Sequence, residues 1–275
     1  MGRDPCGPLS NLRKIIVTDR LPPSQRWPHV GLPALGSVLT IALWWLATWA
    51  FDIEPFFLPA PPDVVDAFVR LPGYLAEQTM VTLLETVIGF GIAAVGGLLL
   101  AVLLAASRTV ERMSLPMIAG INAVPKVALA PLLLVWIGFG YETKVVMVVL
   151  LCFFPILVST MAGLTSTPNE LGELARSLSA SWWQTFVKVR LPWALPQVFV
   201  GLKVATSLAI IGATIGEVIN PDAGLGSVIA SSGQSADTPL AFAALTLLAL
   251  IGALLFYLMA GLERLLAPWA RAISS

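Results

Sequence analysis

The chain carries little charge. Only 12% of its 275 residues are Asp, Glu, Lys or Arg, and its mean hydropathy is +0.86. A soluble domain carries about twice that charged fraction. Several apolar runs reach the ~18–20 residues needed to cross a bilayer, and they are continuously apolar rather than alternating, which argues against a membrane β-barrel. The sequence therefore predicts an all-α polytopic membrane protein.

Residues that carry chemistry are also scarce. The chain has one histidine and two distant cysteines, Cys6 and Cys152, which suggest neither a metal site nor a disulfide framework. A membrane-embedded enzyme would need clustered acid–base or metal-binding groups, and the carboxylates here are scattered. We therefore expect no catalytic residue, metal or cofactor. The zero net charge offers no basic field for nucleic acid. No GxxxxGK[ST] motif occurs, so the sequence offers no P-loop for binding a nucleotide phosphate.

The apolar runs predict six spans and an orientation. A polar, proline-rich tail over residues 1–28 precedes a transmembrane domain over 29–275, and twelve Lys and Arg residues fall on one side of the predicted bilayer. Only Arg70 and Lys144 fall on the other side, so both termini are predicted to be cytoplasmic by the positive-inside rule. The spans are expected near residues 31–51, 78–106, 114–137, 145–163, 196–219 and 239–260.

Residues 164–193, here called the polar segment, separate the fourth and fifth predicted spans on the cytoplasmic side. Thr167-Pro168-Asn169-Glu170 predicts a capped helix start, and Ser181 with Gln184 predicts a second. Because proline disfavours helix in the residue before it, we expect the second helix to end at Leu191-Pro192. The pattern predicts a helix–turn–helix hairpin whose apolar face contains Ala175, Leu178, Trp182 and Phe186. An ordinary structured loop is the alternative, although loops of this length without a role are uncommon.

At these residues the chain resembles the permease subunits of bacterial ABC importers. Their cytoplasmic motif is Glu-Ala-Ala, three residues, Gly, nine residues, Ile, one residue, Leu-Pro. Here it reads Glu173-Leu174-Ala175, Ser179 and Val189-Arg190-Leu191-Pro192. The main departure is Ser179, because serine disfavours the positive φ that glycine permits. The chain looks most like the branch that handles nitrate, taurine, sulfonates, thiamine-pyrimidine or riboflavin-type compounds, on the segments FFLPAPPDVV, NAVPKVALAPLLLVWIGFG, FFPILVSTMAGL and GEVINPDAGLGSVI.

This resemblance implies a type I ABC importer permease fold in the bacterial inner membrane. It also implies partners: two ATPase subunits, a second permease copy in a homodimer, membrane lipid, and a periplasmic or lipid-anchored solute-binding protein. The solute would be a small organic anion or a vitamin precursor. The hairpin would be the coupling helix that contacts the ATPase. The coupling residues implied are Glu170, Glu173, Ala175, Ser179, Trp182, Leu191 and Pro192.

Four polar residues interrupt the predicted spans and are candidates for the translocation path or a gate: Glu85, Asn122, Lys126 and Glu217. A charge at this depth is costly unless it faces protein or water. Lys126 could attract an anionic substrate, or it could pair with Glu85 or Glu217. Small residues every four positions from Gly89 to Ala105 predict close helix packing, within the chain or between subunits.

An ion-coupled secondary transporter is the alternative function. Such carriers are often built from internal repeats, and no repeat is obvious in this sequence. Such a carrier would also have no use for an ATPase-facing hairpin. Sensitivity of uptake to vanadate or to a protonophore would separate the two modes of transport.

Overall fold

The structure, a computed structural model, describes residues 31–269. The predicted tail over residues 1–28 lies outside this range. The described residues form helices and turns, with no strand among them. They divide into two units, residues 31–52 and residues 53–269. The first unit is the apolar helix α1 (Gly31–Ala50), which ends in a turn at Asp52 with φ +47°.

The second unit contains ten α-helices, which include a short helix, α2, and a long helix that follows it directly. Proline occupies the first turn of α2, where its missing N–H costs nothing, and Asp63 accepts the Ala60 N–H at 2.9 Å in a capping arrangement. In chain order the helices are α2 (Pro61–Arg70), α3 (Pro72–Ala105), α4 (Arg108–Asn122), α5 (Ala130–Ile137), α6 (Tyr141–Thr165), α7 (Asn169–Ser177), α8 (Trp182–Thr185), α9 (Leu191–Ile219), α10 (Leu225–Ser235) and α11 (Thr238–Leu266).

Four helices in residues 31–269 are long and apolar enough to cross a membrane. They are α3, α6, the continuous helix Trp182–Ile219 and α11. The pair α4 and α5 makes a fifth if the two cross as one broken span. The apolar part of α1, Leu35–Ala50, is shorter than the ~20 residues a span needs. A total of six spans therefore stays a prediction.

The predicted span over residues 114–137 is not one straight helix. Its two halves are bent by 69°, and a short 3₁₀ turn, Lys126–Leu129, lies between them. Pro125 stands at the break, where it lacks an N–H for the helix ladder and disfavours helix at Val124. The break places Lys126 at the middle of this element.

The core forms where α3 and α9 pack against α6. A Cβ added at Gly89 would lie 2.6 Å from the Cβ of Val148, and one at Gly97 would lie 3.1 Å from Ile156. Val148 and Ile156 are fully buried. The small-residue stripe of α3 therefore packs inside the chain, against α6, which decides between the two arrangements that the sequence left open.

The predicted end of the second hairpin helix at Leu191-Pro192 is wrong. Residues 186–190 form a π turn in which the Leu191 N–H bonds to the Phe186 carbonyl, and the helix then runs without interruption to Ile219. A proline ring collides with the carbonyl four residues earlier in a regular helix. The wider π turn ahead of Pro192 accommodates the ring, because it changes the backbone just where that carbonyl lies.

The side chain of Trp269, the last described residue, forms a hydrogen bond with the backbone at the start of α9. Pro196 has no N–H to give to the Pro192 carbonyl four residues earlier in the helix. The Trp269 indole Nε1–H donates to that carbonyl instead, at 3.3 Å. This bond joins the residues that follow α11 to the start of α9.

Candidate functional site

The turn between α7 and α8 holds the motif serine in a left-handed conformation. Ser179 has φ +54°, and the Ala180 N–H bonds to the Ala175 carbonyl at 3.0 Å. This six-to-one hydrogen bond behind a left-handed residue is the Schellman arrangement that usually ends on glycine. The turn that the motif's glycine would make therefore forms with serine, at the cost of some backbone strain.

The second helix of the hairpin begins as predicted. The Ser181 hydroxyl accepts the Gln184 N–H at 3.2 Å, and the Gln184 side-chain oxygen accepts the Ser181 N–H at 2.8 Å. This reciprocal capping box satisfies two N–H groups that a helix start would otherwise leave free. It fixes α8 at the tip of the polar segment.

The predicted apolar face of the hairpin divides into buried and exposed residues. Ala175 and Phe186 are buried, and Trp182 stacks on Phe186 with ring centroids 5.4 Å apart and planes 8° apart. Four large apolar side chains between residues 174 and 183 are exposed, here called the exposed apolar set: Leu174, Leu178, Trp182 and Trp183. Aromatic side chains of this kind are enriched at protein–protein interfaces.

The remaining motif residues occupy two different settings. Glu170 and Glu173 are exposed on α7, beside the exposed apolar set in sequence. Leu191 and Pro192 are half-buried, in the first turn of α9 rather than at a helix end. The acids are therefore accessible to a partner, and the Leu-Pro pair lies in the helix that leads away from the hairpin.

A second, buried group of polar side chains surrounds the start of α10. The Thr82 hydroxyl donates to Glu217 at 2.6 Å and accepts the Leu225 N–H at 2.8 Å. Gln78 accepts the Gly224 N–H at 2.6 Å, and Glu217 accepts the Gly226 N–H at 2.7 Å. Three side chains from α3 and α9 thus bind the three consecutive N–H groups at the start of α10, and we call Gln78, Thr82 and Glu217 the α10 cap network.

Two glycines leave room for this network. Gly224 has φ +105°, and a Cβ there would collide with the carboxylate of Glu217. A Cβ on Gly226 would lie 2.7 Å from the Thr214 carbonyl oxygen. The Gly-Leu-Gly sequence therefore permits the backbone to approach a buried carboxylate at hydrogen-bonding distance.

Lys144 is the cation of this buried region. Its Nζ lies 3.5 Å from Glu85 and donates to the Ala223 carbonyl at 2.8 Å. Both charged side chains are at most 4% exposed. The opposite charges offset part of the cost of removing both groups from water, and Lys144 also has the Ala223 carbonyl, whereas Oε2 of Glu85 has no hydrogen-bond partner in the described part of the chain. The sequence analysis placed Lys144 on the outer side of the bilayer, next to a predicted span, and the structure adds that it is buried near the start of α6.

The structure forms neither of the ion pairs predicted for Lys126. Its Nζ donates to the Asn122 side chain at 2.8 Å and to the Asn122 carbonyl at 3.1 Å, and it lies 5.0 Å from the centre of the Phe154 ring. Glu85 pairs with Lys144 and Glu217 with Thr82 and Gly226. Of the four path candidates, Asn122 and Lys126 therefore lie at the break between α4 and α5. Glu85 and Glu217 lie in the buried region.

Three residues of the buried region were missed by the sequence reasoning: Gln78, Thr82 and Lys144. A signal for the first two was available. Gln78, Thr82 and Glu85 stand three or four positions apart and continue the face of the small-residue stripe that begins at Gly89. Polar residues on a face that packs against protein must find partners.

In the part of the chain that the structure describes, no cluster of His, Cys, Asp and Glu could hold a metal ion.

The chain matches a family model described as "Binding-protein-dependent transport system inner membrane component" over residues 93–272. It is 38% identical to the riboflavin transport system permease protein RibX of Chloroflexus aurantiacus, over 92% of this chain and 96% of that protein. It is 33% identical to the formylaminopyrimidine transport permease protein ThiX of Halalkalibacterium halodurans, over 87% and 96% of the two chains. Permeases named for aliphatic sulfonates, taurine and nitrate also match.

The fold matches a solved structure of the MetNI methionine ABC transporter. The TM-score is 0.62 at 21% identity, over 70% of this chain and 96% of that chain. This likeness shows the fold, and the relatives confirm the predicted branch of importers. The relatives named above carry the names of transport permeases, and none of them is named as an ion-coupled carrier or an enzyme. The chain therefore belongs to the binding-protein-dependent transport system inner membrane components, as a multi-pass permease subunit of an ABC importer.

Proposed function

We propose that two copies of this chain form the translocation path of an importer with two ATPase subunits and an external solute-binding protein. Both termini and the polar segment would lie in the cytoplasm of a bacterial cell, and residues 29–275 would form the permease domain in contact with lipid. The observation that carries the proposal is the accessible hairpin over residues 164–193, which combines the family's motif spacing with the exposed apolar set and two exposed acids.

The hairpin is proposed to fit a groove of the ATPase. Trp182 and Trp183 supply large, rigid apolar area at low cost in conformational entropy, which suits an interface anchor. Glu173 supplies a charge that would meet a cation of the partner. Ser179 is small and exposed, so it lets the partner approach closely, and the small, buried Ala175 lets the hairpin pack closely beneath that surface. Glu170 adds a second acid at the start of α7.

Continuity of the helix supports a mechanical role. Helix Trp182–Ile219 is 38 residues long, and it passes from the hairpin tip into the core against α6. Phe186 anchors the near end, because it is buried and stacks with both tryptophans at centroid distances of 5.4 and 5.9 Å. A displacement of the tip by the ATPase would therefore move α9 as well. Differential binding of ATP and loaded binding protein to the two states would supply the bias.

The solute is proposed to be a small organic anion or a vitamin-precursor-like compound. The relatives named for riboflavin and formylaminopyrimidine support the second class, and those named for sulfonates and taurine support the first. Selection would rest mainly on the binding protein. Asn122 and Lys126, at the break between α4 and α5, are proposed to lie on the path.

Charge reversal at the hairpin tests the ATPase contact. The tagged chain is purified from its native membranes, and the ATPase that remains bound is measured by mass spectrometry for the wild type, Glu173→Arg and a control, Glu77→Arg. Glu77 is exposed on α3, outside the polar segment. Like charges placed in contact cost several kcal/mol, so Glu173→Arg should recover at least about tenfold less ATPase. Glu77→Arg should recover the wild-type amount.

Wild-type recovery of the ATPase by Glu173→Arg would refute the assigned role of this residue. Recovery of the wild-type chain alone, with uptake abolished by a protonophore and insensitive to vanadate, would refute the ATP-driven assembly itself. The two results are distinguishable because the first leaves vanadate-sensitive uptake in place.

A further inference from the structure

Lys126 differs from three other cationic residues in the described part of the chain, because each of those three forms an ion pair. Arg70 pairs with Asp237, Lys144 with Glu85 and Lys203 with Glu263. Within the same residues, Lys126 has no carboxylate within 4.0 Å. It is nevertheless the cation at the middle of the broken element α4–α5, where a charge needs compensation by protein, water or a ligand.

The amino group of Lys126 is held in place. Asn122 accepts two of its hydrogen bonds, at 2.8 and 3.1 Å, and the Phe154 ring face lies 5.0 Å away. An ammonium group has three N–H donors, so these two bonds leave one donor and the full positive charge for another partner. The Lys126 residue is partly exposed and Asn122 is exposed. The arrangement orients the cation without neutralising it.

The acids that could compete for this cation are engaged elsewhere. Glu85 is paired with Lys144, and Glu217 is bound by Thr82 and the Gly226 N–H. Both acids are at most 1% exposed. The break in the helix explains why the lysine is available: the 3₁₀ turn directs the chain away from the regular ladder, and non-helical backbone at this depth lines a cavity or packs against protein.

We propose that Lys126, positioned by Asn122 and Phe154, binds the negatively charged group of the transported solute. The group would be a carboxylate, sulfonate or phosphate on a small organic molecule, which hydrogen-bonds to the remaining N–H of the ammonium. The Phe154 ring offers an apolar surface for the carbon part of such a solute. This inference rests on the proposed function and narrows its solute to an anion.

Two thiol-reactive sulfonyl probes of opposite charge test the site. Cysteine is introduced at Asn122, and membranes are treated with 2-sulfonatoethyl methanethiosulfonate, an anion, or with 2-(trimethylammonio)ethyl methanethiosulfonate, a cation. The background carries Cys6→Ser, and Cys152 is fully buried. The same pair of rates is measured on a Phe57→Cys control, which is 71% exposed on the connection between α1 and α2.

The anion-to-cation rate ratio at Asn122→Cys, divided by the control ratio, measures water access and local potential together. A unit charge at ~6 Å in a water-like medium changes each rate about threefold in opposite directions, so Lys126→Gln should lower the ratio about tenfold. Lys126→Arg should keep it high because the charge is retained. In the parent, raising the ionic strength should lower the ratio.

An Asn122→Cys ratio that Lys126→Gln leaves unchanged would overturn the proposal. So would an absence of reaction with both probes in membranes where Phe57→Cys reacts, because the solute could not then reach the lysine from water. If Lys126→Gln fails to accumulate, the rate ratio of the Lys126→Arg variant and the salt dependence of the ratio in the parent still test the proposal. None of these results depends on ATPase binding, so a failure here leaves the proposed importer function intact.

Discussion

Replacing Thr82 with valine removes one hydroxyl from the centre of the α10 cap network. That hydroxyl donates to Glu217 at 2.6 Å and accepts the Leu225 N–H at 2.8 Å. Valine has a similar shape and is also β-branched, so the change in helix propensity is small. The substitution leaves a carboxylate oxygen and a backbone N–H without these partners in a region where Thr82 and Glu217 are both fully buried.

The cost follows from the two groups left unpaired. Each buried donor or acceptor without a partner costs about 1–3 kcal/mol, and a charged group costs more. We take about 3 kcal/mol as the expected loss, since some relaxation of the neighbours is possible. For a chain of this size, that loss corresponds to a fall of about 6–12 °C in the midpoint of thermal unfolding.

The assay is thermal unfolding of the purified chain in detergent, with all variants heated at one scan rate because unfolding of such a protein is often irreversible. Thr246→Val is the matched control: its hydroxyl donates to the Phe242 carbonyl one helical turn away, and Thr246 is exposed on α11. A surface change of this kind stays within about 0.5 kcal/mol. Thr82→Ser keeps the hydroxyl and should recover most of the loss.

A Thr82→Val midpoint within the shift that Thr246→Val causes would refute the reasoning. It would mean that the hydrogen bonds of the α10 cap network contribute nothing to holding α3, α9 and α10 together. A large fall in both Thr82→Val and Thr82→Ser would indicate that the packing of the threonine methyl, rather than the hydroxyl, is what matters.

Two further results are expected. Gly212→Ala should lower the midpoint of thermal unfolding, because its Cβ would lie 2.8 Å from the Val148 Cα and such overpacking costs about 1–3 kcal/mol. Its control is Gly91→Ala, whose Cβ would have nothing within 4 Å, and this variant should leave the midpoint unchanged or raise it. Equal shifts of the midpoint in the two variants would contradict the packing described. Ser179→Gly should slow hydrogen exchange of the hydrogen-bonded Ala180 N–H roughly fivefold, because glycine removes most of the ~1–2 kcal/mol penalty of the left-handed conformation. Ser179→Val should speed that exchange, and the reverse order would contradict the strain assigned to the turn.

Several features of the fold could be read from the sequence because they depend on local chemistry. The capping box of Ser181 and Gln184 needs only two side chains three positions apart, and it forms as predicted. The long apolar runs become α3, α6, α9 and α11, since hydrophobic length and helical hydrogen bonding are both local properties. The unusual serine in the motif also directed attention to the φ of Ser179.

Proline was the residue on which local reasoning was least secure. The rule that proline ends a helix gave the wrong end at Leu191-Pro192, because a π turn ahead of the ring lets the helix continue. The same rule holds at Pro125, where the helix breaks and its two halves are bent by 69°. The two sites differ in their surroundings: Pro192 has its carbonyl bound by Trp269, whereas Pro125 precedes a 3₁₀ turn.

The sequence by itself determined the class of the protein, its helical character and its membership of the importer permeases, because composition, apolar run length and motif spacing are properties of the chain. Only the tertiary structure decided which charges meet. The sequence suggested Lys126 as a partner for Glu85 and gave no sign of Lys144 in that role. The packing of α3 against α6 brings Lys144 to Glu85, and the break after α4 leaves Lys126 with Asn122 and Phe154. Ion pairing depends on distances across helices, and those distances are set by how small residues such as Gly89 and Gly97 let the helices approach.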